Sequence, residues 1–293
     1  MFQISNAFKC VALLVLISLL QACSPPDVFV QEQQFFDEEV KNNPSIDVRY
    51  FELQGVKLKY VIAGARNAPA VVYIHGTPGG WDNGARYLMD EKLGARSRVV
   101  SLDRPGWGGS QLPDDGVEAS FFGQNRLLQP LFEQLDQDNN HHGIILVGHS
   151  LGASIAPYIA MQNPELISGL ILLAGSLDPE LGSPRWYNWA ASMGVVSWFL
   201  GADMRRANDE IMQLHSQLTD MRNEWSHITM PVTVIQGMRD KLVSPDNANF
   251  AEQVLINADL KVIRIVGANH FIPWEQRELV TKEINLMLDK IDK

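Results

Sequence analysis

Three residues of the types that activate a hydroxyl nucleophile stand at strand ends in this chain: Ser150, Asp240 and His270. A serine hydroxyl is a weak nucleophile until a base takes its proton, and a third group must orient that base. Ser150 lies in Gly148-His149-Ser150-Leu151-Gly152, a G-x-S-x-G motif. The apolar run 144–147 precedes it and the helix-forming stretch ASIAPYIAMQ follows. Strand, sharp turn and helix is the setting in which this motif exposes its serine. The turn drives Ser150 toward positive φ, while Gly148 and Gly152 let the helix fold back close to the strand. Pro157 falls inside the predicted helix, so a kink or early break is expected there. Asp240 follows the apolar run 232–235, and His270 follows the run 261–266. Asp178, just after the run 167–174, is an alternative carboxylate.

The remaining elements must carry these groups to one place. Runs at 48–53 and 56–63 flank Gly55 and predict a hairpin. Strands are expected at 70–74, 98–102, 144–147, 167–174, 232–235 and 261–266, with helices near 83–93, 121–135, 247–256 and 274–291. Strands alternating with helices imply an α/β fold, a mainly parallel sheet covered on both faces with an antiparallel edge. Ligands of such sheets bind at the carboxyl ends of the strands, where Ser150, Asp240 and His270 all fall. The alternation stops at 176–230, a segment with Trp186, Trp189, Trp198 and Trp225 and no strand signal. Helices are expected there near 186–200 and 204–222.

Five motifs occur in order across residues 75–271: HGTPGG, DRPGWGGS, GHSLG, GMRD and GANHF. Together they make the chain resemble the α/β-hydrolase superfamily. Within it, the H-G-x-P-G loop resembles the group that includes epoxide hydrolases, haloalkane dehalogenases, proline iminopeptidases and many esterases. The resemblance implies an eight-stranded, mainly parallel sheet, with core segments at 48–175 and 231–293 and a helical lid at 176–230. It implies Ser150 as nucleophile, His270 as base then acid, and Asp240 as the orienting carboxylate. It also implies an oxyanion hole from the backbone N–H groups of Thr77 and Leu151, worth roughly 3 kcal/mol per donor. Dehalogenases and epoxide hydrolases of this fold carry Asp where this chain has Ser150, so acyl transfer is expected. The expected substrate is a small hydrophobic carboxylic ester. Aminopeptidase, thioesterase, C–C hydrolase and perhydrolase chemistry remain open on the same triad, as does a non-catalytic binding role. An aminopeptidase would need acids for the substrate amine, for which Asp209 and Glu210 are candidates.

Trp81, Trp107, Trp186 and Trp189 are the expected pocket residues, although the lid aromatics could equally attach the lid to the core. His75 is expected to brace the oxyanion loop, and His149 to be structural. No cofactor is called for, because no G-x-G-x-x-G opens a helix after a strand. No metal is called for either: both cysteines, Cys10 and Cys23, lie near the N-terminus, and His141-His142 lacks a third ligand. The formal charge of −10 argues against nucleic acid or anionic lipid as the main partner.

Residues 1–22 read as an export signal whose apolar run, 10–20, is too short to span a bilayer. The end of that run, Leu20-Gln21-Ala22-Cys23, resembles the bacterial lipoprotein signal. That resemblance implies a lipidated Cys23 as the first mature residue, and a membrane partner through it. Ser24 after the cysteine favours the outer membrane, facing the periplasm. An ordinary cleaved signal with a chance cysteine is the alternative. Residues 23–47 then form a tether, with Pro25-Pro26 resisting regular structure.

Overall fold

The computed structural model describes residues 27–113 and 116–291. The expected signal segment and Cys23 lie outside the described residues. Two units are distinguished, one ending at Asn42 and one running from Asn43. In the first, a helix Asp27–Phe35 continues into a wider turn, Phe36–Val40.

The second unit is built on eight strands: β1 Asp47–Leu53, β2 Val56–Gly64, β3 Ala70–Ile74, β4 Arg98–Leu102, β5 Ile144–His149, β6 Ile167–Leu173, β7 Val232–Gly237 and β8 Leu260–Ile265. Their order across the sheet is β1-β2-β4-β3-β5-β6-β7-β8. The first two pairings, β1 with β2 and β2 with β4, are antiparallel, and the rest are parallel. This is the α/β-hydrolase fold. Alternate residues of the central strands feed two separate cores. Val72, Leu146, Leu170 and Val234 face one way, packed with Leu128, Phe132 and Ile155 of the helices Phe121–Asp138 and Leu151–Gln162. Val71, Ile145, Ile171 and Ile235 face the other way, with Tyr87 and with Ile284 and Met287 of Arg277–Ile291. Each side chain fully buried this way contributes about 1.5–3 kcal/mol, and the two apolar faces fix the register of every strand.

Between β6 and β7 the chain leaves the sheet and forms three helices, Trp186–Ser192, Gly194–Phe199 and Ala202–Asp220. The first helix buries none of its residues.

Three expectations are corrected. The helix after the serine runs from Leu151 through Pro157 to Gln162 without a break. Pro157 costs it one backbone hydrogen bond, and the residue is buried in compensation. The single helix expected at 83–93 is instead a 3-10 turn Trp81–Gly84 followed by the short helices Ala85–Leu88 and Glu91–Gly94. Asp90 starts the second of these anew, its carboxylate accepting from the N–H groups of Lys92 and Leu93. The helix expected at 274–291 is likewise divided, into Ile272–Glu275 and Arg277–Ile291.

Close packing of the Leu151–Gln162 helix on the sheet depends on Gly152. A Cβ there would stand 2.7 Å from the His75 carbonyl oxygen and closer still to that of Ile74. Both obstacles are backbone and cannot swing aside. Gly152→Ala is therefore expected to lose about 2 kcal/mol or more of folding stability. It should read out as a lowered urea midpoint at unchanged m-value.

Candidate active site

Strand β5 ends at His149 and the next helix begins at Leu151, so Ser150 must reverse the chain alone. It does so at φ 53° and ψ −121°, a conformation that residues with a Cβ rarely adopt. Its N–H is tied to the Leu173 carbonyl at 2.9 Å, which holds the strained turn to the neighbouring strand. The first N–H groups of the helix, beginning with that of Leu151, have no acceptor within it.

His270 follows β8 and Asp240 follows β7, and the two meet. His270 Nδ1 lies 2.7 Å from Asp240 Oδ2, with both side chains buried. With Nδ1–H donated to the carboxylate, the Nε2 lone pair is left free to take a proton. The other oxygen, Asp240 Oδ1, accepts from the N–H groups of Leu242 and Val243 at 2.8 and 2.9 Å. Burial pushes the Asp240 carboxyl up, but His270 and these two N–H groups outweigh it and hold it below the usual carboxylate range. Asp178 does not compete: it caps the short turn Pro179–Leu181 by accepting from Glu180 N–H at 3.0 Å.

His149, beside the serine, is a strut. Its Nε2–H donates to the His270 carbonyl at 3.0 Å, and Trp274 packs edge-on to its ring. Burial first, and the neighbouring His270 second, lower it to about 3. It is therefore neutral near pH 7.

The loop after β3 is braced from below. His75 Nδ1–H donates to the Gly76 carbonyl at 2.7 Å, and Nε2 accepts from Arg104 N–H at 3.0 Å. Burial, then Arg104, depress the His75 imidazole well below its ordinary value, so it too is neutral. The Arg104 guanidinium spends all five N–H donors. Nε binds the His75 carbonyl and Nη2 the Gly76 carbonyl, at 3.0 and 2.8 Å. Nη1 reaches Gln124, and both Nη atoms grip Glu210. Glu210 comes from the lid helix Ala202–Asp220, and both partners are wholly buried.

Ser150, His270 and Thr77 line one cavity of about 400 Å³. Its other walls come mainly from the lid segment, with Leu181, Leu200, Met204, Ile211, Leu214 and Leu242 as apolar lining. The four tryptophans expected at the pocket do not line it. In helix Trp186–Ser192 the residues facing the cavity are Tyr187, Asn188 and Ala191, so helical spacing turns Trp186 and Trp189 outward, 80% and 61% exposed. Trp107 is buried edge-on to His75 and donates its indole N–H to Glu210 at 3.2 Å. Trp81 lines a different hollow, with Lys59 and Asp103. Of the acids considered for an amine, Glu210 is consumed by Arg104 and Asp209 is exposed. Among the described residues no group of three His, Cys, Asp or Glu side chains converges as a metal site would require.

Sequence reasoning missed the Arg104–Glu210 pair. It also missed the lid's polar lacing, in which Asn208 bonds Asn188 and Ser192. Both join residues distant in the chain through lid packing, which leaves no local signal. Arg104 stood inside a quoted motif, but nothing in the motif points to its partner 106 positions on.

The alpha/beta hydrolase family pattern matches residues 71–283. The chain belongs to that family. It is similar to a proline iminopeptidase of Pestalotiopsis fici, 22% identical over 83% of this chain and 100% of the relative. It is also similar to a 1-acylglycerol-3-phosphate O-acyltransferase of Arabidopsis thaliana, 29% identical over 50% of this chain. The matched stretch is only 35% of that protein's length, and 38% of a rice relative's. Among solved structures, a bacterial membrane phospholipase A superposes with a TM-score of 0.67 at 17% identity, covering 97% of this chain and 99% of that one. Family membership supports hydrolysis as the reaction class.

Two outcomes follow from these contacts. Glu210→Gln leaves the buried guanidinium uncompensated and should cost about 3–5 kcal/mol of stability in urea unfolding. The double variant Arg104→Met with Glu210→Met removes both charges and should regain part of it, the buried His75 and Gly76 carbonyls being left without their donor. His149 binds no proton in the fold until about pH 3, whereas the unfolded chain takes one up below about 6.5. Its contribution to stability is complete above the unfolded value and is lost as pH falls through that window, at about 1.4 kcal/mol per pH unit. His149→Gln should flatten the acid limb of the stability–pH curve by that slope.

Proposed function

We propose that the protein is a serine hydrolase that cleaves a hydrophobic carboxylic ester, held to the bacterial envelope by a lipid on Cys23 and facing the periplasm. The observation that carries the enzymatic reading is one cavity lined by Ser150 and His270, with Asp240 on the far side of the imidazole. In this reading Ser150 Oγ attacks the ester carbonyl while His270 Nε2 takes its proton. Asp240, held ionised, stabilises the imidazolium that forms. The N–H groups of Thr77 and Leu151 receive the oxyanion. Its collapse expels the alcohol with the proton from His270, and water then clears the acyl-enzyme by the same steps in reverse.

The apolar lid lining favours an acyl chain over a charged peptide. An aminopeptidase reading, suggested by the fungal relative, has to find another acid for the substrate amine because Glu210 is already neutralised. The plant relative's name adds acyl chemistry on a glycerolipid, which suits an ester substrate. Lipid attachment at Cys23 rests on the sequence pattern around that residue alone.

The test uses nitrophenyl esters of increasing acyl length, with Ser150→Ala alongside. Wild-type protein should turn them over and react with a fluorophosphonate at Ser150. The variant should lose about three or more orders of magnitude in kcat. Absence of both turnover and labelling would sink the reading.

A further inference from the structure

Three of the four tryptophans in the lid segment lie on its outside, while the fourth, Trp225, is buried. Trp186, Trp189 and Trp198 are 80%, 61% and 78% exposed, and Met193 between them is 63% exposed. Large side chains in this state are normally scattered singly over a surface. Here they crowd two adjacent short helices, Trp186–Ser192 and Gly194–Phe199. The first of these helices roofs the catalytic cavity through Tyr187, Asn188 and Ala191. Tyr187, Met204 and Leu242 line the cavity and are also exposed, so the apolar surface continues through its mouth.

Charge distribution narrows the choice of partner. The chain as a whole is at −10, yet residues 185–206 hold Arg185, Arg205 and Arg206 against Asp203 alone. Arg185 lines the cavity, its Nη2 resting on the Lys241 and Leu242 carbonyls at 3.2 Å. Tryptophan and methionine flanked by arginines is the composition suited to a bilayer interface. There the indole sits at headgroup depth and the cation meets lipid phosphate. Net charge argues against anionic lipid only for the molecule taken as one sphere. Residues 185–206 carry a local excess of two positive charges, within a lid segment 176–230 that as a whole holds four Arg against seven Asp and Glu.

We propose that the outer face of the two lid helices, Trp186, Trp189, Met193 and Trp198 with Arg185 at its edge, docks on a phospholipid bilayer. The cavity mouth then opens toward the membrane, and the substrate is a lipid ester taken from the bilayer. The substrate half of this rests on the ester-hydrolase reading; the docking half does not. Docking also accounts for a roof helix with no buried residue. Such a helix is stable when its Tyr187–Asn188–Ala191 side meets the cavity and its tryptophan side meets lipid.

The test places the full-length protein on vesicles of mixed phosphatidylethanolamine and phosphatidylglycerol with brominated acyl chains. No tryptophan precedes Trp81, so quenching cannot come from the N-terminal anchor. Three of the seven tryptophans are in the proposed face, so roughly a third or more of the emission should be quenched. The triple variant Trp186→Ala, Trp189→Ala, Trp198→Ala should lose that quenched fraction. Its turnover of an ester dispersed in vesicles should fall roughly tenfold, with turnover of a short soluble ester held within about twofold. Quenching that does not depend on these residues overturns the proposal, as does an equal fall in both rates. A dimer in solution that the triple variant breaks, without quenching, overturns it in favour of a second copy on this face. Quenching in the absence of any ester turnover would leave docking standing and remove the ester-hydrolase reading.

Discussion

The architecture of the site depends on one buried guanidinium. Arg104 holds the carbonyls of His75 and Gly76, and so sets the path of the loop whose next residue, Thr77, faces the cavity. A cation with no access to water is tolerable only if its charge is met and its donors are filled. Glu210 meets the charge, and five acceptors fill the donors. Glu210 in turn also accepts from Trp107 and Gln124, so the pair sits in a network of three polar side chains around one carboxylate. Such a network is worth more in specificity than in net stability, because desolvation offsets much of the attraction. Its effect is to allow one position for the lid helix Ala202–Asp220 relative to the loop after β3.

A second constraint is steric. Ser150 is held at positive φ by the sheet on one side and by the close-packed Leu151–Gln162 helix on the other. Strain of this kind costs on the order of 1–3 kcal/mol and persists only where the surroundings over-determine it. The surroundings here are two apolar cores and two neutral histidines. Neutrality matters, because a charged His149 against His270 would repel any imidazolium forming there. Burial keeps that second charge away while still using the ring as a hydrogen-bonding strut.

These differences in environment also explain what could be read from the chain. Strand positions, the eight-stranded sheet and the order of Ser150, Asp240 and His270 follow from apolar periodicity and short motifs, which are local properties. Asp240 and Asp178 are both open on the sequence, and their contacts differ in the structure: one carboxylate reaches His270, the other caps a turn. The lid was legible as a helical insertion but not in its facing. Trp186 and Trp189 suggested a pocket because large aromatic residues are usually buried. Helical phase alone could have warned otherwise, had the cavity-facing residues been known. Breaks at Asp90 and near Gln276 were missed because capping competes with amphipathic periodicity on a scale of one turn.

The lid therefore faces two ways for two reasons. Its long helix is fixed inward by Glu210, a charge that can be buried only against Arg104. Its two short helices have no such anchor. The first contributes Tyr187, Asn188 and Ala191 to the cavity, and both leave tryptophan outside. An element held at one end and loosely packed at the other opens at the loose end first, since local stability follows local burial. Access to Ser150 is thus expected between the short helices and the loop bearing Leu242. The loop after β3 is clamped by Arg104, and the two short helices have no such tie. In the proposed hydrolase reading, separating the firmly held half of the lid from the loosely packed half lets a site be pre-organised for charge development and still admit an apolar substrate.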